Sequence, residues 1–153
     1  IPPDGVIYED GQFVPGIDVR KMSKRYNNTL PILAPEKDLR KQIMRIVTDS
    51  TPPEEPKNPD TCNLYQIFRL FAPPERLAEV RGLYLQGGLA YGALKAELAD
   101  LLLAYFAEAR GKYNALIADR AYLDQVLASG AQRARAIAVP VLKRMRKAVG
   151  IDA

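Results

Sequence analysis

The distribution of proline divides this 153-residue chain into two parts with different structural possibilities. Eleven of the twelve prolines precede residue 75, and the last one is Pro140. Because proline lacks a backbone donor and clashes with the preceding helical turn, the first part must consist of loops and short helices. The second part is rich in Leu and Ala, which favour helix. The sequence therefore predicts a mainly α chain with a loop-rich N-terminal segment.

The first residues have the pattern of a short β-hairpin. Two strand-like runs, 6–8 and 12–14, flank Asp10-Gly11, which is a typical turn pair. Pro15-Gly16 ends the second run. Residues 20–34 then form a loop that begins with basic residues.

Apolar residues recur at helical spacing after residue 35. Leu39, Ile43, Ile46 and Val47 make the first such stripe. Helices are expected at about 36–47, from about residue 60, from Pro73-Pro74 to Gly87-Gly88, and at about 91–118, 121–128 and 131–149. A stiff proline-rich connector, 50–56, lies between the first two. Together these segments predict a helical bundle.

The last helix has two distinctive features. Residues at heptad-like spacing should pack inward through Ala134, Ala138, Val141, Met145 and Ala148. Pro140 removes one backbone donor, so we expect it to kink this helix.

The composition excludes several kinds of site. The chain has no histidine and a single cysteine, Cys62, which rules out an intrachain disulfide, a transition-metal site and a Ser-His or Cys-His catalytic unit. The longest apolar run, 98–107, is too short to span a bilayer. No signal peptide is visible, so we expect a cytoplasmic protein with no membrane partner. The chain begins at Ile1 rather than Met, and we expect it to be part of a longer polypeptide.

Two basic segments are candidate binding sites for anions. The first has three cations and a hydroxyl within five residues, Lys21-Met22-Ser23-Lys24-Arg25, and can neutralise a polyphosphate. The alternative is a solvated basic loop. The second segment, from residue 133 to the end, carries six cations and one acid. Its cations form two helical stripes that can follow RNA phosphates, or an ordinary solvated helix face. They are Arg133, Arg144 and Lys147 in one stripe and Arg135, Lys143 and Arg146 in the other.

The five residues 21–25 resemble the KMSKS signature of class I aminoacyl-tRNA synthetases. Their flanks, Pro15-Gly16-Ile17-Asp18 and Tyr26-Asn27-Asn28-Thr29, are similar to the tryptophanyl branch of that family. Later segments are similar too: 46–50, 55–57, 63–66, Gly92 with 94–97, Tyr122-Leu123 and 130–136. The resemblance implies a ligase that condenses tryptophan with ATP and transfers the activated amino acid to tRNA(Trp).

The resemblance also implies roles for particular residues. Residues 1–34 would be the tail of a catalytic domain with the hairpin and the ATP-phosphate loop, and residues 35–153 a helical tRNA-anticodon-binding domain. Lys21 and Lys24 would be catalytic, stabilising charge on the leaving pyrophosphate. Met22, Ser23 and Arg25 would complete a mobile ATP-binding loop, in which Arg25 replaces the usual Ser. The tRNA contacts would come from Arg133, Arg135, Lys143, Arg144 and Lys147.

One departure from the family pattern is an absence. The first family signature, HIGH, needs histidine, so it and the tryptophan pocket would lie in a Rossmann-type half that this chain lacks. We therefore expect the isolated chain to be inactive and the full-length protein to be a homodimer. Magnesium is expected with ATP, although no protein ligand for it is identifiable. The alternatives are a non-catalytic RNA-binding helical module and another class I-like synthetase, for example of the tyrosyl type.

Overall fold

The computed structural model describes residues 13–151, which form six α-helices and a short 3-10 helix. The α-helices are α1 (Glu36–Met44), α2 (Asn63–Phe68), α3 (Pro74–Gln86), α4 (Tyr91–Tyr105), α5 (Ala107–Ala118) and α6 (Arg120–Ala148). No β-strand occurs in this range apart from one antiparallel bridge between Pro15 and Lys21. The mainly α fold is thus confirmed. The strand-like run 6–8 and the turn at Asp10-Gly11 lie outside the described residues.

The packing divides the chain into two units, Ile1–Arg110 and Gly111–Ala153. This is a division by contacts, and the functional boundary expected between residues 34 and 35 stays a prediction. The helices α1 to α4 lie in the first unit, and α6 lies in the second.

The core of the first unit is built from the apolar faces of α1 to α4. Phe68 and Tyr84 are its largest fully buried side chains. Leu98 on α4 is also fully buried, and α4 packs against α1. Burying each such side chain contributes about 1.5–3 kcal/mol, so this core accounts for the stability of the unit.

The first apolar stripe is confirmed at three of its four positions. Leu39, Ile43 and Ile46 are buried, but Val47 is 51% exposed. The helix ends at Met44, and after it Val47 uses its backbone N–H to bind Ile17 O at 2.8 Å. Because the chain is no longer helical there, helical spacing does not place the Val47 side chain.

The proline-rich connector is held by a buried lysine. The Lys57 ammonium, 6% exposed, donates to the carbonyls of Pro52, Pro53 and Glu55 at 2.6, 3.3 and 3.0 Å. It also lies 5.5 Å from the centre of the Tyr91 ring. The three carbonyls replace water around the charge, so the connector is wrapped around an internal cation.

Two expectations about where the helices are continuous were wrong. The expected 91–118 helix is interrupted at Phe106, although Phe106 N still donates to Leu102 O at 3.0 Å and hydrogen bonding continues across the interruption. The expected break at Ser129-Gly130 does not occur, since α6 runs unbroken for 29 residues. Glycine in a helix costs only about 1 kcal/mol relative to alanine, and the good helix formers around Gly130 tolerate it. Pro140 lies within α6, and the kink expected there stays a prediction.

The expected inward face of α6 was also wrong. Val141 is 40% and Met145 62% exposed, and Ala134, Ala138 and Ala148 are exposed as well. The second unit contains only the end of α5 and the long α6. A unit of this size has too little chain to cover one helix face with another. Among residues 13–151, no helix combines the length and the apolarity needed to cross a membrane.

Candidate functional site

The basic loop is carried on a tight reversal of the backbone. Gly16 N donates to Arg20 O at 2.7 Å, and Met22 N donates to Val14 O at 2.9 Å. Inside the reversal Val19 has φ 74°, a left-handed conformation that is a genuine outlier for a β-branched residue. Such strain of about 1–3 kcal/mol persists only where the surroundings impose it, and it is concentrated at functional sites.

The loop itself is a capped turn of 3-10 helix, Lys24–Tyr26. Ser23 is its N-cap, and the Ser23 hydroxyl accepts from Arg25 N at 3.2 Å. Asn27 ends the turn in the left-handed region, with φ 51° and its N–H on Lys24 O. The backbone between the two lysines therefore has a defined shape in this state, and its opening and closing stay a prediction.

A buried asparagine lies under the loop. Asn28 is 1% exposed, and its Nδ2 donates to Asp18 Oδ1 at 2.7 Å and to Lys21 O at 3.1 Å. Its Oδ1 accepts from Ser23 N at 2.8 Å. The backbone O of Asn28 accepts from Ile17 N at 3.0 Å. One side chain thus joins the reversal to both ends of the Lys21–Ser23 segment.

A second asparagine fixes the base of the reversal to α2. Asn63, 5% exposed, donates through Nδ2 to Gly16 O at 2.8 Å. Asn63 Oδ1 is buried, and within the described structure it has no hydrogen-bond partner. Neither Asn28 nor Asn63 was predicted to have a structural role, because the sequence shows their polarity but not their burial.

Asp18 is the only acidic residue in 13–28. Its carboxylate binds Asn28 and Arg20 and does not pair with the three other cations of the loop. The Asn28 hydrogen bond, and then Arg20, hold the pKa of Asp18 below its ordinary value. The guanidinium carbon of Arg20 also lies over the Tyr26 ring, 4.6 Å from the ring centre.

The three remaining cations of the loop are exposed. Lys21, Lys24 and Arg25 face solvent and form no ion pair in the described part of the chain. Lys24 and Arg25 lie in the 3-10 turn, and Lys21 precedes it by three residues. Met22 and Ser23 are half-buried. The parts expected of these five residues in binding ATP stay predictions.

The second candidate site lies on α6. Arg133, Arg135, Lys143, Arg144 and Lys147 are all exposed on this one helix. Because α6 is continuous, Arg133 and Lys147 are about 21 Å apart along its axis, at ~1.5 Å per residue. A basic surface of that length can contact several phosphates of a nucleic acid.

No family model matches the sequence. The tryptophan–tRNA ligase of Rhodopirellula baltica is 44% identical over 149 residues, which are 97% of this chain and 47% of that protein. The tryptophan–tRNA ligase of Fusobacterium nucleatum is 43% identical over 149 residues, again 97% of this chain, and 46% of that protein. The chain thus spans about half the length of these relatives.

The fold has matching solved structures. Tryptophanyl-tRNA synthetase from Campylobacter jejuni, complexed with ADP and tryptophan, superposes with a TM-score of 0.82 and 42% identity. The match covers 94% of this chain and 45% of that one. Sequence and fold therefore agree: over nearly its whole length this chain is a homologue of the tryptophan–tRNA ligases.

Proposed function

We propose that this chain is part of an ATP-dependent ligase that charges tRNA(Trp) with tryptophan. In this protein the loop 21–25 binds the ATP phosphates and α6 contacts tRNA. The observation that carries the proposal is the set of exposed cations at and just before a capped backbone turn, which form no ion pair with any of residues 13–151, in a chain 44% identical to a tryptophan–tRNA ligase.

The first reaction makes the aminoacyl-adenylate. A carboxylate oxygen of tryptophan attacks the α-phosphorus of ATP. The bond from the α-phosphorus to the oxygen that bridges it to the β-phosphorus breaks, and pyrophosphate leaves with the electron pair of that bond. Negative charge grows on the leaving oxygen, and Lys21 and Lys24 stabilise it through their ammonium groups. Arg25, where the family usually has Ser, adds a guanidinium that can bind a phosphate in a bidentate way. Ser23 is the N-cap of the turn that begins with Lys24.

No protein ligand for magnesium is identifiable among residues 13–151. Among residues 13–151 there is no group of three acidic or sulfur-bearing side chains that could hold a metal. The loop instead offers cations, which repel a metal ion and attract phosphates. We therefore assign magnesium to the nucleotide, which carries it into the site on its own oxygens.

The second reaction transfers tryptophan to the tRNA. A hydroxyl at the 3′ end of the tRNA attacks the carbonyl carbon of the adenylate, and AMP leaves. Two basic stripes of α6 supply phosphate contacts, Arg133, Arg144 and Lys147 in one and Arg135 and Lys143 in the other. Residues 35–153 form the anticodon-binding domain. Residues 1–34 belong with the catalytic half. The tryptophan pocket and the contacts of a cytoplasmic homodimer lie in that half.

Replacing the two lysines tests the loop assignment. In the full-length protein, Lys21→Ala and Lys24→Ala should each lower the kcat of tryptophan-dependent ATP–pyrophosphate exchange by roughly 10²–10³-fold, as for loss of one oxyanion donor. Lys37→Ala, in an exposed position at the start of α1, is the matched control and should retain activity. Retained exchange in both loop variants would contradict the assignment. The isolated chain should show no exchange.

A further inference from the structure

We propose that Asn28 is a positioning residue for pyrophosphate formation, acting through the backbone of the phosphate loop. The inference rests on the proposed function of that loop. It assigns to Asn28 the task of setting where the Lys21 and Lys24 ammonium groups stand relative to each other.

The geometry of the Asn28 side chain carries the first step. Its amide binds Lys21 through the carbonyl O and Ser23 through the backbone N–H, at 3.1 and 2.8 Å. These two groups bracket Met22, so the segment between them is held in one conformation. Lys24 follows directly as the first residue of the capped turn.

The burial of the Asn28 side chain is the second support for the positioning role. Asn28 is 1% exposed, whereas its neighbour Asn27 and the cations Lys21, Lys24 and Arg25 are exposed. A buried amide is stabilised only when its donors and acceptors are used, and three partners use them here. The third partner, Asp18 Oδ1 at 2.7 Å, is a carboxylate and gives the amide a charge-assisted hydrogen bond.

The tight fit around Asn28 carries the third step. A Cβ on Gly16 would lie 2.3 Å from Asn28 Nδ2 and 2.4 Å from Asn28 Cγ. The Gly16 carbonyl is itself held by Asn63 at 2.8 Å. Asn28 therefore packs closely against Gly16, and a side chain at position 16 would displace its amide.

Loss of this amide should change catalysis more than binding of the amino acid. Without it, the segment between Lys21 and Lys24 samples several conformations, and only a fraction of molecules hold both ammonium groups in place. Because the reaction needs both, kcat falls to that fraction of its original value, whereas the KM for tryptophan, whose pocket lies elsewhere, stays unchanged.

The experiment measures tryptophan-dependent ATP–pyrophosphate exchange in the full-length protein. Asn28→Ala should lower kcat by roughly 10- to 100-fold, the range for losing two or three buried hydrogen bonds. Asn27→Gly is the matched control: Asn27 is the exposed neighbour with φ 51°, which glycine accepts, and kcat should stay within about twofold.

Two further variants separate positioning from general destabilisation. Asn28→Asp keeps the acceptor for Ser23 but places a carboxylate against Asp18, so it should lose at least as much kcat as Asn28→Ala. The exchanged pair Asp18→Asn with Asn28→Asp restores one donor and one acceptor between these positions, so it should recover part of kcat. In a Lys21→Ala, Lys24→Ala background, Asn28→Ala should cause no further loss, because it acts only through those lysines.

The outcomes separate this inference from the proposed function. Two results overturn the positioning role while the loop assignment stands. One is full kcat in Asn28→Ala. The other is a loss of kcat from Asn28→Ala that is as large in the Lys21→Ala, Lys24→Ala background as in the unaltered protein. Absence of exchange in the unaltered full-length protein overturns the proposed function and this role with it.

Discussion

The same substitution, glycine to alanine, should have opposite effects at two positions of this chain. At Gly16 the added Cβ would lie 2.3 Å from Asn28 Nδ2 and 2.8 Å from Asn28 O, far inside the ~3.5–4 Å of an ordinary carbon contact. At Gly82, in the middle of α3, the added Cβ meets no atom within 4 Å.

The magnitudes follow from what each methyl group displaces. Relief of the Gly16 clash requires Asn28 to leave its place, which breaks its three side-chain hydrogen bonds and the Ile17 N to Asn28 O bond. At ~0.5–1.5 kcal/mol net for each of these four bonds, Gly16→Ala should destabilise this region by about 2–6 kcal/mol. Gly82→Ala should instead stabilise the protein by ~0.5–1 kcal/mol, because alanine loses less conformational entropy in a helix.

Two assays check this pair of values. Urea unfolding followed by circular dichroism reports the change at Gly82, where the denaturation midpoint should rise. Amide hydrogen exchange reports the change at Gly16, where the Ser23 N–H should lose protection because its acceptor on Asn28 has moved. Unchanged Ser23 protection in Gly16→Ala would refute the clash argument, and a lower midpoint in Gly82→Ala would refute the argument from free space.

Three other predictions concern the connector, the pH dependence and the basic helix. Lys57→Met should lower the free energy of unfolding by about 2–3 kcal/mol in urea titrations, since it leaves three carbonyls without their donor, and Lys37→Met should leave it unchanged. The Arg81 guanidinium on α3 holds the pKa of Asp60 below its ordinary value of 3.8. The stability that ionised Asp60 contributes is therefore complete above pH ~4 and is lost as the pH falls through the lowered pKa. Asp60→Asn should therefore make the acid limb of the stability curve shallower, and an unchanged limb would contradict this. If α6 binds tRNA phosphates, Arg144→Ala and Lys147→Ala should each flatten the slope of log affinity against log salt by roughly 0.7–0.9, as filter binding would show, while Lys37→Ala should keep it.

The fold could be predicted where periodicity and proline decide the structure. Pro73-Pro74 starts α3 and Gly87-Gly88 ends it, because these residues act on the local backbone whatever surrounds them. The expected break at Ser129-Gly130 was wrong because glycine only weakens a helix, and neighbouring residues can outweigh it. The buried face expected for α6 was wrong because burial depends on a partner surface, which periodicity does not supply.

The candidate site could be predicted as a set of charges but not as a geometry. The spacing of Lys21, Lys24 and Arg25 shows three cations in one short segment, and in the structure all three are exposed, with Lys24 and Arg25 on the 3-10 turn and Lys21 just before it. The parts that hold this segment are uncharged amides, Asn28 in the loop and Asn63 at the start of α2. Their roles come from contacts across 5 to 47 residues, which a pattern read along the chain does not contain.

The most direct test of the account is ATP–pyrophosphate exchange by the full-length protein, with each of the twenty amino acids supplied separately. The account predicts exchange with tryptophan alone. Exchange with a different amino acid would keep the phosphate chemistry of the loop but contradict the substrate. The absence of exchange with every amino acid would contradict the enzyme itself and leave RNA binding by α6 as the remaining function.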